Sequence, residues 1–200
     1  MELLERLCNA HGVSGDTDAV AEIIIDEIMP FCEKIEVMKD GNIIAYKKGR
    51  QRNPKKVMLC AHMDEVGFLV KDITEDGYLR FESVGGIDER ILLSQKVRIG
   101  DSNIPGVVGV KAVHMATKEE REKTIKMEKL YIDTGVYSRR EIEELVEKGD
   151  SVKFDSEFVK FGENKIKAKA IDDRVGVRML IEMIKKEVSY DFRYYGRNAR

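Results

Sequence analysis

The chain has 200 residues, enough for one ordinary domain or two small ones, with 42% hydrophobic and 36% charged residues. That balance excludes a disordered chain, and a formal charge of −2 gives nucleic acid or an anionic membrane nothing global to attract. No apolar run reaches the roughly 18 residues of a membrane span.

The first residues mix acidic and apolar side chains (Glu2, Glu5) and lack the basic-then-apolar order of a signal peptide. Cys8, Cys32 and Cys60 are odd in number, form no CxxC pair and sit in apolar surroundings. They are expected to be buried free thiols of a reducing compartment, and the chain is expected to be cytoplasmic.

Leu3, Leu4 and Leu7 predict a short amphipathic helix, broken at Gly12-Val13-Ser14-Gly15. A second helix follows, with Asp16 or Thr17 as cap, Val20, Ile23, Ile24 and Ile28 on one face, and Pro30 at its end. Ile35 to Val37 and Ile43 to Tyr46 read as strands joined through Asp40-Gly41-Asn42, a hairpin signal. Val57 to Ala61 is a continuous apolar run, which suits a strand covered on both faces in a parallel sheet with helices on each side.

Beyond Gly67 the texture is that of short strands: alternation from Phe68 to Phe81, then Val97 to Ile99 and Val107 to Val110. Lys118 to Lys129 is dense in charge and is read as a solvated segment. Ser138-Arg139-Arg140-Glu141 is a capping box, predicted to start a helix with Ile142, Leu145 and Val146 inward and Gly149 at its end. Val152 to Phe154 and Phe158 to Phe161 are further strand-like pieces. Ile166 to Ile171 alternates with lysines before a helical pattern through Val175, Val177, Leu180, Ile181 and Ile184. The expected architecture is α/β: a split domain of residues 1–66 and 165–200 carrying a mostly β insert at 67–164.

His62 and Asp64 follow directly on the apolar strand that ends at Ala61. The carboxyl ends of strands in open parallel sheets face the binding crevice. Residues two apart on extended backbone point the same way, so Asp64 is placed to orient the His62 imidazole. A carboxylate behind a metal-bound histidine fixes its tautomer and raises its basicity. Taken alone, the pair also fits a core histidine beside an unrelated aspartate. Asp172-Asp173-Arg174 lies between a strand-like segment and a helix start. Adjacent carboxylates rarely converge on one atom, so one is expected to ligate and the other to cap the helix or contact Arg174.

Read in order, AHMDEVGFLV (Ala61 to Val70), VGGID (Val84 to Asp88) and AIDDRVG (Ala170 to Gly176) resemble the glutamyl and deblocking aminopeptidase family. These are co-catalytic di-zinc peptidases that assemble into tetrahedral, TET-type particles, some of which carry an endoglucanase label. GVSG (Gly12 to Gly15), DGN (Asp40 to Asn42) and the segment around Tyr131 to Gly135 are similar to the family too. The resemblance implies a zinc-peptidase-like catalytic domain, split and incomplete, with an inserted dimerisation domain. It implies two divalent metal ions, zinc or cobalt, with His62 holding one and Asp172 bridging both. Asp64 is then the catalytic-site residue that supports the histidine. The implied substrate is a peptide with a free N-terminus, and the implied partner is a second copy of the chain through the insert; neither nucleic acid nor membrane is implied. His114 falls in the insert and is read as a surface or structural histidine, and His11 is assigned nothing.

The family continues with a Glu-Glu pair, whose first member is the general base, and with a later aspartate and histidine. None has a counterpart here, and the tail from Arg193 to Arg200, with three arginines in eight residues, does not look like the family. The chain is therefore expected to be C-terminally truncated, with a frameshift, premature stop or misjoined gene model as origins, and inactive by itself. The sheet is expected to lack strands beside Val57 to Ala61. The alternative function is a non-catalytic assembly module pairing through the insert. A glycosidase fits poorly, since the key carboxylates sit beside a histidine and the chain has no tryptophan.

Overall fold

Amphipathic spacing makes two helices at the start of the chain. Helix α1 (Glu2–Asn9) buries Leu4, Leu7 and Cys8, and α2 (Asp18–Ile28) buries Val20, Ala21, Ile24 and Ile28. Thr17 occupies the N-cap position of α2 without a side-chain cap bond, and Asp16 instead pairs with His11 Nε2 at 2.7 Å. Pro30, with no N–H to donate, falls in the 3-10 turn Met29–Phe31 that ends α2. The computed structural model describes residues 1–112, 117, 124–187 and 189–197. His114 and the first part of the charge-dense stretch, 118–123, lie outside the described residues.

Two units make up the chain: Met1–Glu65 with Glu157–Arg200, and Val66–Ser156. In the first, β1 (Lys34–Val37) and β2 (Ile43–Lys47) form the antiparallel hairpin predicted from Asp40-Gly41-Asn42. Gly41 takes a φ of +80° at the turn, where a side chain would be strained. Strand β3 (Lys56–His62) follows. The sheet is completed from the far end of the sequence by β12 (Asp191–Arg197), antiparallel to β2 and parallel to β3, giving the order β1-β2-β12-β3. Helix α4 (Ile171–Lys185), with non-helical dihedrals at Asp172 and Asp173, packs with α1 and α2 against this sheet. The shared core joins Leu7, Val20, Ile24 and Ile28 to Ile43, Ala45, Ala61, Val177, Ile181 and Tyr194. Lys47 Nζ donates to Ile184 O and, at 2.7 Å, to Lys186 O, setting a cation at the negative end of α4. The short hairpin of β10 (Val159–Phe161) and β11 (Lys165–Lys167) belongs to the same unit.

The second unit is a closed barrel. Its strands are β4 (Gly67–Ile73), β5 (Leu79–Val84), β6 (Lys96–Ile99), β7 (Ile104–Val110), β8 (Leu130–Asp133) and β9 (Ser151–Phe154), in the order β4-β5-β8-β7-β6-β9. Closure leaves no unpaired edge, and alternate residues fill the interior. Phe68 stands edge-on to Phe81, 4.9 Å between ring centres, within a core that includes Val70, Leu79, Val97, Ile99, Ile132 and Val152. Ser138 caps the short helix α3 (Arg139–Ile142) by accepting from Glu141 N–H. Ile142 and Val146 point inward as predicted, but Leu145 is exposed, because the helix is only one turn long.

Three expectations are corrected. Strand β12 stands beside β3, where the sheet was expected to be open. Strand β3 is covered on one face only: Leu59 and Ala61 pack toward the helices, while Met58 and Cys60 are exposed. All three helices of this unit share one core on the same side of the sheet, so alternate residues of β3 are left outside. Cys60 is accordingly an exposed thiol. Burial pushes the Cys8 thiol up and the Cys32 thiol up to about 11, which keeps those two protonated and inert. Among the described residues, no helix is long and apolar enough to cross a membrane.

Glu27 on α2 joins the three helices, reaching Lys185 Nζ at 2.5 Å and Arg6 Nη1 at 2.6 Å. The hydrogen bond from Lys185 is the main reason its carboxyl lies below the ordinary 4.5. A carboxylate depressed in the folded state stabilises above its unfolded value and loses that contribution as pH falls through its folded value. Glu27→Gln is therefore expected to cost about 0.5–1 kcal/mol near neutral pH, a small figure because solvent screens the pair. In urea melts run from pH 7 downward, the gap between Glu27→Gln and the parent chain should close below the ordinary carboxylate range.

Candidate metal centre

The loop after α1 is pinned to the segment beyond β3. Glu65 N–H donates to Gly12 O at 2.7 Å, Ser14 N–H donates to Glu65 O at 3.3 Å, and Asp16 N–H closes the loop on Val13 O at 2.8 Å. The Glu65 side chain is buried and accepts from Lys169 Nζ, with Arg174 Nη2 at 3.8 Å. Lys169 Nζ also donates to Ala10 O at 2.7 Å, and Arg174 Nη1 donates to Leu7 O. Arg174 is fully buried; desolvation pushes its guanidinium down from the ordinary 12.5, and Glu65 opposes that shift. Gly12 is required beside it, since a Cβ there would meet the Arg174 guanidinium and Val20.

These contacts bring the end of β3 to the start of α4. His62 Nε2 lies 3.2 Å from Asp172 Oδ1. On the other side of the ring, His62 Nδ1 faces two acceptors at 3.3 Å, Asp64 Oδ1 and the Asp64 carbonyl oxygen. Both ring nitrogens thus face acceptors, and the tautomer with the proton on Nδ1 is the one that turns the Nε2 lone pair toward Asp172. In that tautomer the lone pair and the Asp172 carboxylate oxygen can share a cation, whereas a proton on Nε2 would donate to Asp172 directly. Exposure is graded across the centre: the Asp64 side chain is 2% exposed, His62 32% and Asp172 96%. Asp64 is also held by Ser14 Oγ, which donates to Asp64 Oδ2.

The three residues singled out in the sequence, His62, Asp64 and Asp172, thus meet at one point. The neighbouring carboxylate has the separate role expected of it: Asp173 Oδ1 accepts from Gly176 N–H at 3.1 Å and caps α4. Gly176 leaves the room for this, because a Cβ at that position would collide with the Asp173 carboxylate. Arg174 contacts Glu65 rather than either aspartate. Sequence reasoning passed over Ser14, Glu65 and Lys169. In the sequence Ser14 stands out only as part of GVSG, and Lys169 only as one of the lysines alternating with Ile166, Ala168 and Ala170.

As a donor set, one imidazole nitrogen and one carboxylate oxygen suit zinc, cobalt or manganese. They fit two ligand positions, against the three protein ligands usual for a catalytic zinc. Among the described residues, no group of three or more His, Cys, Asp or Glu side chains is placed to hold a metal ion.

The family model for M42 glutamyl aminopeptidase matches residues 41–195, more than half of the chain. That match runs into β12 and corrects the reading of the tail as unlike the family up to that point. FrvX of Escherichia coli (strain K12) is 36% identical over 200 residues, covering 98% of this chain and 55% of FrvX. A TET aminopeptidase structure from the marine sediment archaeon Thaumarchaeota archaeon SCGC AB-539-E09 superposes with a TM-score of 0.92 at 30% identity, over 98% of this chain and 58% of that one. The Pyrococcus horikoshii TET1 peptidase, described as able to assemble into a tetrahedron or a large octahedral shell, gives 0.85 at 32% identity, over 98% of this chain and 59% of that one. This chain therefore spans rather more than half the length of these proteins, and it belongs to the M42 glutamyl aminopeptidase family.

Proposed function

We propose that this chain contributes part of the metal centre of an aminopeptidase that removes N-terminal residues from peptides. The observation that carries the proposal is the line Asp64–His62–Asp172, with a ring nitrogen and a carboxylate oxygen facing each other at 3.2 Å. His62 Nε2 would hold one divalent ion, and the exposed Asp172 carboxylate would bridge to a second. A bound divalent ion supplies Lewis-acid polarisation of a scissile carbonyl and a water made acidic enough to attack it. Asp64 keeps the ring proton on Nδ1 and so keeps Nε2 available. Asp173 caps α4 and thereby fixes the backbone that carries Asp172.

Two donors hold a metal weakly, so zinc or cobalt is expected to be lost on desalting. Isothermal titration should nevertheless detect binding that disappears in His62→Ala and Asp172→Ala. Asp64→Asn should weaken it about 10–100-fold, as removal of a carboxylate behind a ligating histidine generally does. Stoichiometric zinc that survives a mild chelator, or binding indifferent to His62→Ala, would overturn the assignment.

Catalysis also needs a general base, a contribution of typically 10²–10⁴-fold. None of the carboxylates at this centre is free for that work: Asp64 is buried on the histidine, Asp173 caps the helix, and Asp172 is assigned to ligation. The 200-residue chain is expected to hydrolyse leucyl and glutamyl anilides no faster than background with added zinc or cobalt. Joining the C-terminal segment of a family relative after Phe192 should restore turnover, and His62→Ala or Asp172→Ala in that longer chain should abolish it. Turnover by the short chain that His62→Ala stops would show that another residue acts as base.

A second reading, self-assembly through the barrel, is favoured by the barrel's closure and separate core, and by the shells described for the TET1 relative. The mostly β segment would serve as the dimerisation domain and pair with a second copy of itself. Light scattering at about 100 μM, where contacts of even modest affinity are populated, should give a dimer or larger. A monomer at that concentration would remove this reading.

A further inference from the structure

We infer that Ser14 is a positioning residue of the metal centre, acting through Asp64 to set which nitrogen of His62 is offered to a metal. The inference rests on the reading of His62 as a ligand, and it adds a residue to which no role in that reading was given. Ser14 Oγ donates to Asp64 Oδ2, while Asp64 Oδ1 lies 3.3 Å from His62 Nδ1. The two oxygens of one carboxylate thus have different partners. A hydroxyl held on Oδ2 stops the carboxylate from rotating about its Cβ–Cγ bond and keeps Oδ1 directed at the ring.

The backbone that carries the hydroxyl is held without the Asp64 side chain. The backbone on both sides of Ser14 is pinned by Glu65 N–H to Gly12 O and by Ser14 N–H to Glu65 O, and Val13 pairs with Glu65 as an isolated bridge. Gly15, with a φ of +92°, turns the chain immediately after. The loop backbone therefore comes to Asp64 already shaped, and it sets Ser14 within hydrogen-bond reach of Oδ2. Such outer partners orient ligating histidines and are needed for affinity as much as for activity.

The test uses the full chain with Ser14→Ala and Ser14→Thr. Nitrogen NMR of the metal-free His62 ring, at about pH 8.5 and well above the ordinary imidazole range, reads the tautomer directly. The parent chain and Ser14→Thr should show a protonated Nδ1 and a bare Nε2, whereas Ser14→Ala should show a mixture of tautomers. Cobalt affinity, read from its visible absorption, should fall about 3–10-fold in Ser14→Ala, less than for loss of the carboxylate itself, and recover in Ser14→Thr. An unchanged ring in Ser14→Ala, or a changed ring that Ser14→Thr fails to restore, would overturn the inference. If the parent chain takes up no cobalt at His62, the reading of a metal centre fails, yet the ring nitrogens still decide the role of Ser14.

Discussion

The buried ion cluster of Glu65, Lys169 and Arg174 is the constraint on which the rest of the first unit depends. Removing one partner from such a cluster typically costs about 3–5 kcal/mol, because the remaining charges are left buried and unpaired. Its geometry explains why it is there. Glu65 stands three residues beyond His62, and Arg174 stands two beyond Asp172, so closing the cluster also closes the distance between the two candidate ligands. Lys169 and Arg174 Nη1 also donate to the carbonyls of Ala10 and Leu7, which fastens the end of α1 to the same point. The Gly12 loop completes the arrangement, since only a residue without Cβ leaves space for the guanidinium.

Much of this unit could be read before folding. The apolar face of α2, the hairpin at Gly41 and the strand leading to His62 all rest on local signals: periodicity, a positive φ and turn chemistry. The placement of His62 was legible because it ends a strand of the sheet, whereas Asp172 was legible only as a helix start, since the strand before it pairs with β10 in a separate antiparallel hairpin. The long-range charge pairing was not legible. A lysine alternating with Ile166, Ala168 and Ala170 has the pattern of an outward residue, and nothing local distinguishes the one that turns inward to meet a glutamate more than a hundred residues away. The buried Arg174 presents the same difficulty; its only trace in the sequence is a glycine, and glycines have many causes.

The misread tail has a more specific cause. Arginines at close intervals argue against a strand buried on both faces, and that inference is sound for such a strand. This sheet, however, has helices on one side only. Tyr194 faces them and is buried, while Arg193 lies on the opposite face with its guanidinium over the ring of Tyr46, 5.4 Å from the centroid. The register sets Arg193 between Tyr46 and Met58, and Tyr195 between Ile44 and Cys60. An open face accepts a cation at every second residue without cost to the core, so a charged strand and a central position in the sheet are compatible. The buried face does carry a penalty: the Tyr194 hydroxyl has no hydrogen-bond partner among the described residues, and burial pushes it well above the ordinary tyrosine range.

On the proposed reading, the graded exposure from Asp64 through His62 to Asp172 separates orientation from ligation. The residues that would orient lie inward: Asp64 is nearly sealed, the half-buried Ser14 donates to it, and Glu65 is buried. The atoms that would ligate look outward, with the Asp172 side chain almost wholly in solvent. Orientation demands a rigid, water-poor surround, because a carboxylate that exchanges with water does not hold an imidazole in one tautomer. Ligation demands the opposite, an open side from which metal, substrate and further donors can approach. The centre satisfies both demands by lying where β3 ends and α4 begins, with the core on one side and solvent on the other. On the reading proposed above, whatever completes the metal site has to arrive from that open side, against a histidine whose orientation is already settled within this chain.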